Sequence, residues 1–158
     1  MHLWELGGGI HLSDLMKVAL HKGNFANAVA LVVVDLSKPD QVVDTARYWL
    51  RVIQHRAEVV AAELIEDGVD VVKLMADKSG SPMAKGLPIY LVANKYDKFK
   101  EANPEARKIM SKTLRALALE AGSSLVYMTV AHSSSDKDLQ SCVKVRRISN
   151  CSFDYTLF

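Results

Sequence analysis

A chain of 158 residues is long enough for one domain with a real core, and 49% hydrophobic with 24% charged residues is an ordinary globular composition. A formal net charge of +2 argues against a strongly basic nucleic-acid binder. No apolar run reaches the roughly 18 residues that span a bilayer, and MHLWELGGG has no basic region followed by an apolar core, so no secretory signal is expected.

In chain order, residues 2–6, HLWEL, are expected as a short strand, followed by Gly7-Gly8-Gly9, where the backbone can turn sharply or approach a ligand closely. Residues 10–22 fit a short helix that stops at Gly23-Asn24. Ala28 to Val34, AVALVVV, is a continuous apolar run of the kind found in parallel strands covered on both faces. Ser37-Lys38-Pro39-Asp40 then opens a helix, with serine as cap, proline in the first turn and an acid three residues after the serine. Its stripe is Val42, Ala46, Trp49, Leu50, Ile53, Ala57, Val60, Ala61 and Leu64, with fraying or resumption expected about Gly68 to Met75. Trp49 is expected in the core, and Trp4 is a second candidate.

Residues 77–86, DKSGSPMAKG, read as a loop, and Ile89 to Ala93 as the next strand. Asn103-Pro104-Glu105 starts a second long helix, with the stripe Ala106, Ile109, Met110, Thr113, Leu114, Leu117 and Ala121, closed by Gly122. Ser124 to Thr129 is the last strand. Strands alternating with helices predict an α/β fold with a mostly parallel sheet and flanking helices. The pattern fails after about Ser133. The expected division is therefore a G-like α/β domain over 1–132 and a divergent, poorly ordered tail over 133–158.

Ligands of open parallel sheets sit at the carboxyl ends of strands. Asn94, Lys95 and Asp97 stand there as N-K-x-D. Asp97 can accept hydrogen bonds from N1–H and the N2 amino group of guanine, Asn94 can hold the base edge, and the Lys95 stem can cover the base. The plain alternative is a polar strand exit with Asp97 capping a turn. Glu5 and Gly8 are candidates for the magnesium and γ-phosphate side of such a site, against a ligand-free glycine turn. There is no G-x-x-x-x-G-K-[ST], the loop whose amides and lysine carry most phosphate binding. GTP or GDP is therefore possible but not required. Thr129-Val130-Ala131 is a weaker candidate for a base-contacting loop, and Lys38, Arg47, Arg51 and Arg56 form a basic helix face.

No catalytic residue is assigned, and no metal site is expected. The five histidines are scattered, without H-E-x-x-H, and His11, His21, His55 and His132 lack partners at catalytic spacing. Cys142 and Cys151 are expected as reduced thiols of a cytosolic protein.

HLWELGGG, then VALVVVDLSKP, a long helix, IYLVANKYDKF and SKTLRALALEAGSSL together resemble the cytoplasmic dynein light intermediate chain family, in its dynein-2 form used in retrograde intraflagellar transport. The resemblance covers residues 2–130, and WELGGG followed by DLSKP is its most specific part. It implies a partial Ras-like P-loop NTPase fold in a non-catalytic subunit that binds and stabilises the dynein heavy chain. It implies other dynein subunits as further partners and no nucleic acid. It places the protein in the cytoplasm and cytoskeleton, at the cilium or flagellum and its base. Glu5 replaces the usual Asp, and glycine the water-positioning Gln, which argues against efficient GTP hydrolysis. The alternatives are a GTP-binding Ras-like switch whose phosphate loop lies outside this chain, or an unrelated α/β nucleotide-binding fragment. A Ras-like sheet sets its first strand between the third and fourth. A chain that opens at the third is therefore expected to be a partial product, with unpaired backbone groups where the first strand would lie.

Overall fold

The structure is a computed structural model that describes residues 2–6, 10–74, 87–129 and 146–147. The loop expected at 77–86, the 133–158 tail apart from 146–147, both cysteines and Gly7–Gly9 lie outside the described residues. By backbone contacts the chain divides into two compact units, Met1–Ala30 with Tyr48–Ile89, and Leu31–Arg47 with Tyr90–Phe158.

In the first unit a 3-10 turn, Ile10–Leu15, leads into helix α1, Met16–Ala19, and a second 3-10 turn, Phe25–Asn27. The expected stop at Gly23-Asn24 has a concrete form. The Asn24 side chain accepts from His21 N at 3.0 Å and donates to Ala19 O at 2.7 Å, folding the chain back. Phe25 beyond it is fully buried. The larger part of α2, Pro39–Glu66, supplies the wall of this unit through Leu50, Ile53, Ala57, Val60 and Leu64, all buried at the expected helical spacing. Arg56 donates from Nε to Leu20 O at 2.9 Å, and its guanidinium lies 3.6 Å from Glu63, so it fastens α1's end to α2. Trp49 is half-buried, edge-on to Tyr48 with ring centroids 5.4 Å apart, rather than sealed in the core.

Gly68 ends α2 outright. Its φ of +79° is open to glycine at little cost, and Val69 N donates to Leu64 O while Gly68 N donates to Ile65 O, a Schellman closure. Asp70 then caps a fresh helical turn at 71–74 by accepting from Lys73 N at 3.0 Å.

The second unit holds the sheet, in the order β1, Ala30–Asp35; β2, Ile89–Asn94; β3, Ser124–Tyr127; β4, Arg146–Arg147. Ala30 N donates to Pro88 O and Leu36 N to Asn94 O, so β1 runs parallel to β2 along its whole length. β2 and β3 are parallel with Leu91 opposite Leu125, and β4 adds antiparallel to β3. The fold is the expected α/β class with a mostly parallel sheet. Helix α3, Tyr96–Phe99, is a single turn, and α4, Pro104–Glu120, is the second long helix. Asn103 caps α4 by accepting from Glu105 N at 2.8 Å, and Gly122, at φ +59°, closes it with Ser123 N donating to Ala118 O.

Three expectations fail here. Residues 2–6 are not a strand: the segment has no regular structure and Trp4 is 62% exposed, because an extended segment forms a strand only beside a neighbour that takes up its backbone groups. β1 is covered on one face only. Val32 and Val34 are buried, whereas Leu31 and Val33 are 56% and 55% exposed, and β1 is the edge of the described sheet. The apolar stripe of α4 begins late: Leu114, Leu117 and Ala118 are buried, but Ala106 and Ile109 are exposed.

Candidate nucleotide-binding loop

β1 and β2 are parallel neighbours, so their carboxyl ends lie side by side. That brings Asp35 against Asn94-Lys95-Tyr96-Asp97. Lys95 takes a left-handed conformation, φ 59° and ψ 40°, the only non-glycine residue with positive φ among those described. Such a conformation costs a side-chain-bearing residue about 1–2 kcal/mol, so its surroundings must hold it. Two bonds of Lys95 do so. Its amide donates to Asn94 Oδ1 at 2.8 Å, and its ammonium donates to Asp35 Oδ2 at 2.6 Å.

Asp35 is the anchor of the loop. Its Oδ1 accepts from Ser37 N at 2.9 Å and from Ser37 Oγ at 2.6 Å, while Oδ2 takes Lys95. Hydrogen bonding to Lys95 first, and to Ser37 second, lowers its pKa from 3.8 to about 2. The serine read as the cap of α2 thus turns its hydroxyl proton back toward the strand end. Tyr96 N donates to Met128 O at 3.1 Å and Met128 N to Ala93 O at 2.9 Å, which ties the end of β3 to the same loop. The Tyr96 ring packs against Tyr127 at 5.2 Å and Phe99 at 6.0 Å, with the Lys100 ammonium 5.3 Å from its centroid.

Asp97 lies in the first turn of α3, half-exposed, with no hydrogen-bond or ion-pair partner for its carboxylate among the described residues. It is the motif's one carboxylate, and it is left open to solvent. Asn94 Oδ1 and the Lys95 ammonium are already engaged within the protein. Glu5 sits exposed in the irregular N-terminal segment of the other compact unit, not at a strand end. Gly8, Val130 and Ala131 lie outside the described residues, and Thr129 is half-buried just beyond β3. The basic face of α2 dissolves into separate roles: Lys38 and Arg51 are exposed, Arg47 lies 3.7 Å from Asp44, and Arg56 is structural. Asp35 was legible only as the residue ending a strand. The available signal was Asp-Leu-Ser, an Asx-turn spacing, at the end of the strand next to the motif.

Residues 1–77 match the family model described as dynein light intermediate chain. The cytoplasmic dynein 2 light intermediate chain 1 of Danio rerio is 35% identical over 80% of this chain and 38% of its own length. That of Homo sapiens is 30% identical over 80% of this chain and 39% of its own. The chain is similar to the dynein light intermediate chains of the dynein-2 type. The fold agrees: the crystal structure of the conserved domain of a dynein light intermediate chain superposes with a TM-score of 0.56 at 18% identity, over 82% of this chain and 50% of that one. The chain thus spans under two fifths of the length of these curated relatives and half of the solved domain. Its N-K-x-D loop is at the end of β2, the middle of the three parallel strands among the described residues.

Proposed function

We propose that this chain is a non-catalytic subunit that docks on the dynein-2 heavy chain and stabilises it, for retrograde intraflagellar transport. The observation that carries the reading is the ion pair of Lys95 with Asp35 at 2.6 Å. A guanine pocket needs the lysine stem free to lie along the base. Here the ammonium is held by a neighbouring strand end, and the loop closes on itself through its own hydrogen bonds. With no G-x-x-x-x-G-K-[ST] in the sequence, phosphate binding has no cradle in this chain. No nucleotide is then required, and the G-like fold acts as a docking body in the cytoplasm, on the cytoskeleton and at the base of the cilium.

Affinity purification of the native protein from its own cells, with mass spectrometry of what is recovered, tests this. A dynein-2 heavy chain among the recovered proteins supports the subunit role, and its absence overturns it. One feature favours a second reading, a GTP-binding switch: the unpartnered, half-exposed carboxylate of Asp97. Titration with GDP separates the two. Saturable binding that Asp97→Ala abolishes would support the switch, and no binding supports the structural subunit.

A further inference from the structure

The outer face of α4 is unusual for a solvated helix. Lys108, Lys112, Arg115 and Leu119, spaced four, three and four residues apart, form one row along it. A second row, Ile109, Lys112, Ala116 and Leu119, spaced three, four and three, runs beside the first. All of these residues are exposed, Ile109 by 66% and Leu119 by 84%. None of the three cations has an ion-pair partner among the described residues. The helix is anchored independently, by Leu114, Leu117 and Ala118 on its buried side and by its Asn103 and Gly122 caps. The outer rows therefore do nothing for its folding.

We propose that this face of α4 docks an acidic amphipathic helix of a protein partner. The three–four–three spacing of Ile109, Lys112, Ala116 and Leu119 is the seam spacing of paired helices, and Ala116 at its middle allows close approach. Lys108 and Arg115 flank one side of that seam, where carboxylates of a facing helix would stand. Charge decides against a second copy of this chain, since cations would face cations. The apolar content decides against a lipid surface: the seam is one residue wide, while a bilayer takes up a broad apolar face. This goes beyond docking on a heavy chain, because the partner is defined by its chemistry and any dynein subunit or adaptor can supply it.

The test uses the purified full chain and a synthetic 21-residue helical peptide with leucines at the seam positions and glutamates flanking them. The controls are a scrambled peptide of the same composition and one with lysines for the glutamates. Expected are saturable binding of the acidic peptide by fluorescence anisotropy, slowed hydrogen exchange confined to 104–120, and little binding of either control. Lys108→Glu with Arg115→Glu should weaken binding about tenfold or more and recover affinity for the lysine peptide. Leu119→Ser should weaken the acidic peptide alone. Both variants alter exposed positions, and circular dichroism checks that they stay folded. Equal binding of the scrambled peptide, no loss in the charge-reversed variant, or protection elsewhere would overturn the proposal. So would self-association in sedimentation, or binding to phosphatidylserine vesicles without binding to the peptide. Failure here leaves recovery of a heavy chain unaffected, so the two readings fail separately.

Discussion

Asp35 and Lys95 make the loop between the strand ends a small acid-sensitive clasp. The folded pKa of Asp35, about 2, lies below its ordinary value of 3.8, so the carboxylate's contribution is full above that value. It is lost as pH falls from about 4 to about 2, when the folded protein must also take up the proton. Asp35→Asn should cost about 0.5–1 kcal/mol at neutral pH, as expected of a partly exposed pair. The difference from wild type should shrink through this range in urea melts and vanish only below about pH 2. A difference that persisted below that pH would mean that shape, not charge, holds the turn. Lys95→Met keeps the stem and removes the bond. It should loosen the left-handed turn, seen as faster exchange of the Tyr96 amide, while the buried core around Phe25 is unchanged.

At the scale of elements, α4 rests on its two ends. Asn103→Ala should cost about 1 kcal/mol through the lost cap. Gly122→Ala should cost about 1–2 kcal/mol through backbone strain alone, since nothing stands within 4 Å of an added Cβ. Thermal melts of both variants check these values, and Leu114→Ala, at a fully buried position, should exceed either at about 2–5 kcal/mol. Both caps were readable in the sequence because capping is local: Asn-Pro-Glu and a terminal glycine carry their own geometry. The register of α2 was readable for the same reason, its buried residues recurring with the helical period. The exposure of Ile109 and Leu119 was not readable, because an apolar residue on a helix does not reveal whether anything stands opposite. HLWEL failed for a related reason. Its residues suit a strand, but a strand exists only in a pair, and pairing is non-local. Lys95–Asp35 spans 60 positions of sequence, and only the parallel register of β1 on β2 brings the two together.

For the whole molecule, the α/β fold is that of the conserved domain of a dynein light intermediate chain, and the lysine of its N-K-x-D serves the protein's own sheet. That arrangement predicts docking on a heavy chain that does not depend on nucleotide. Its most direct test is co-precipitation of the dynein-2 heavy chain from cell extract by wild-type protein and by Asp97→Ala, each in nucleotide-depleted and GTP-supplemented extract. Equal recovery in all four conditions is the predicted result. Recovery that depends on GTP and is lost in Asp97→Ala would contradict the account and make this chain part of a nucleotide switch.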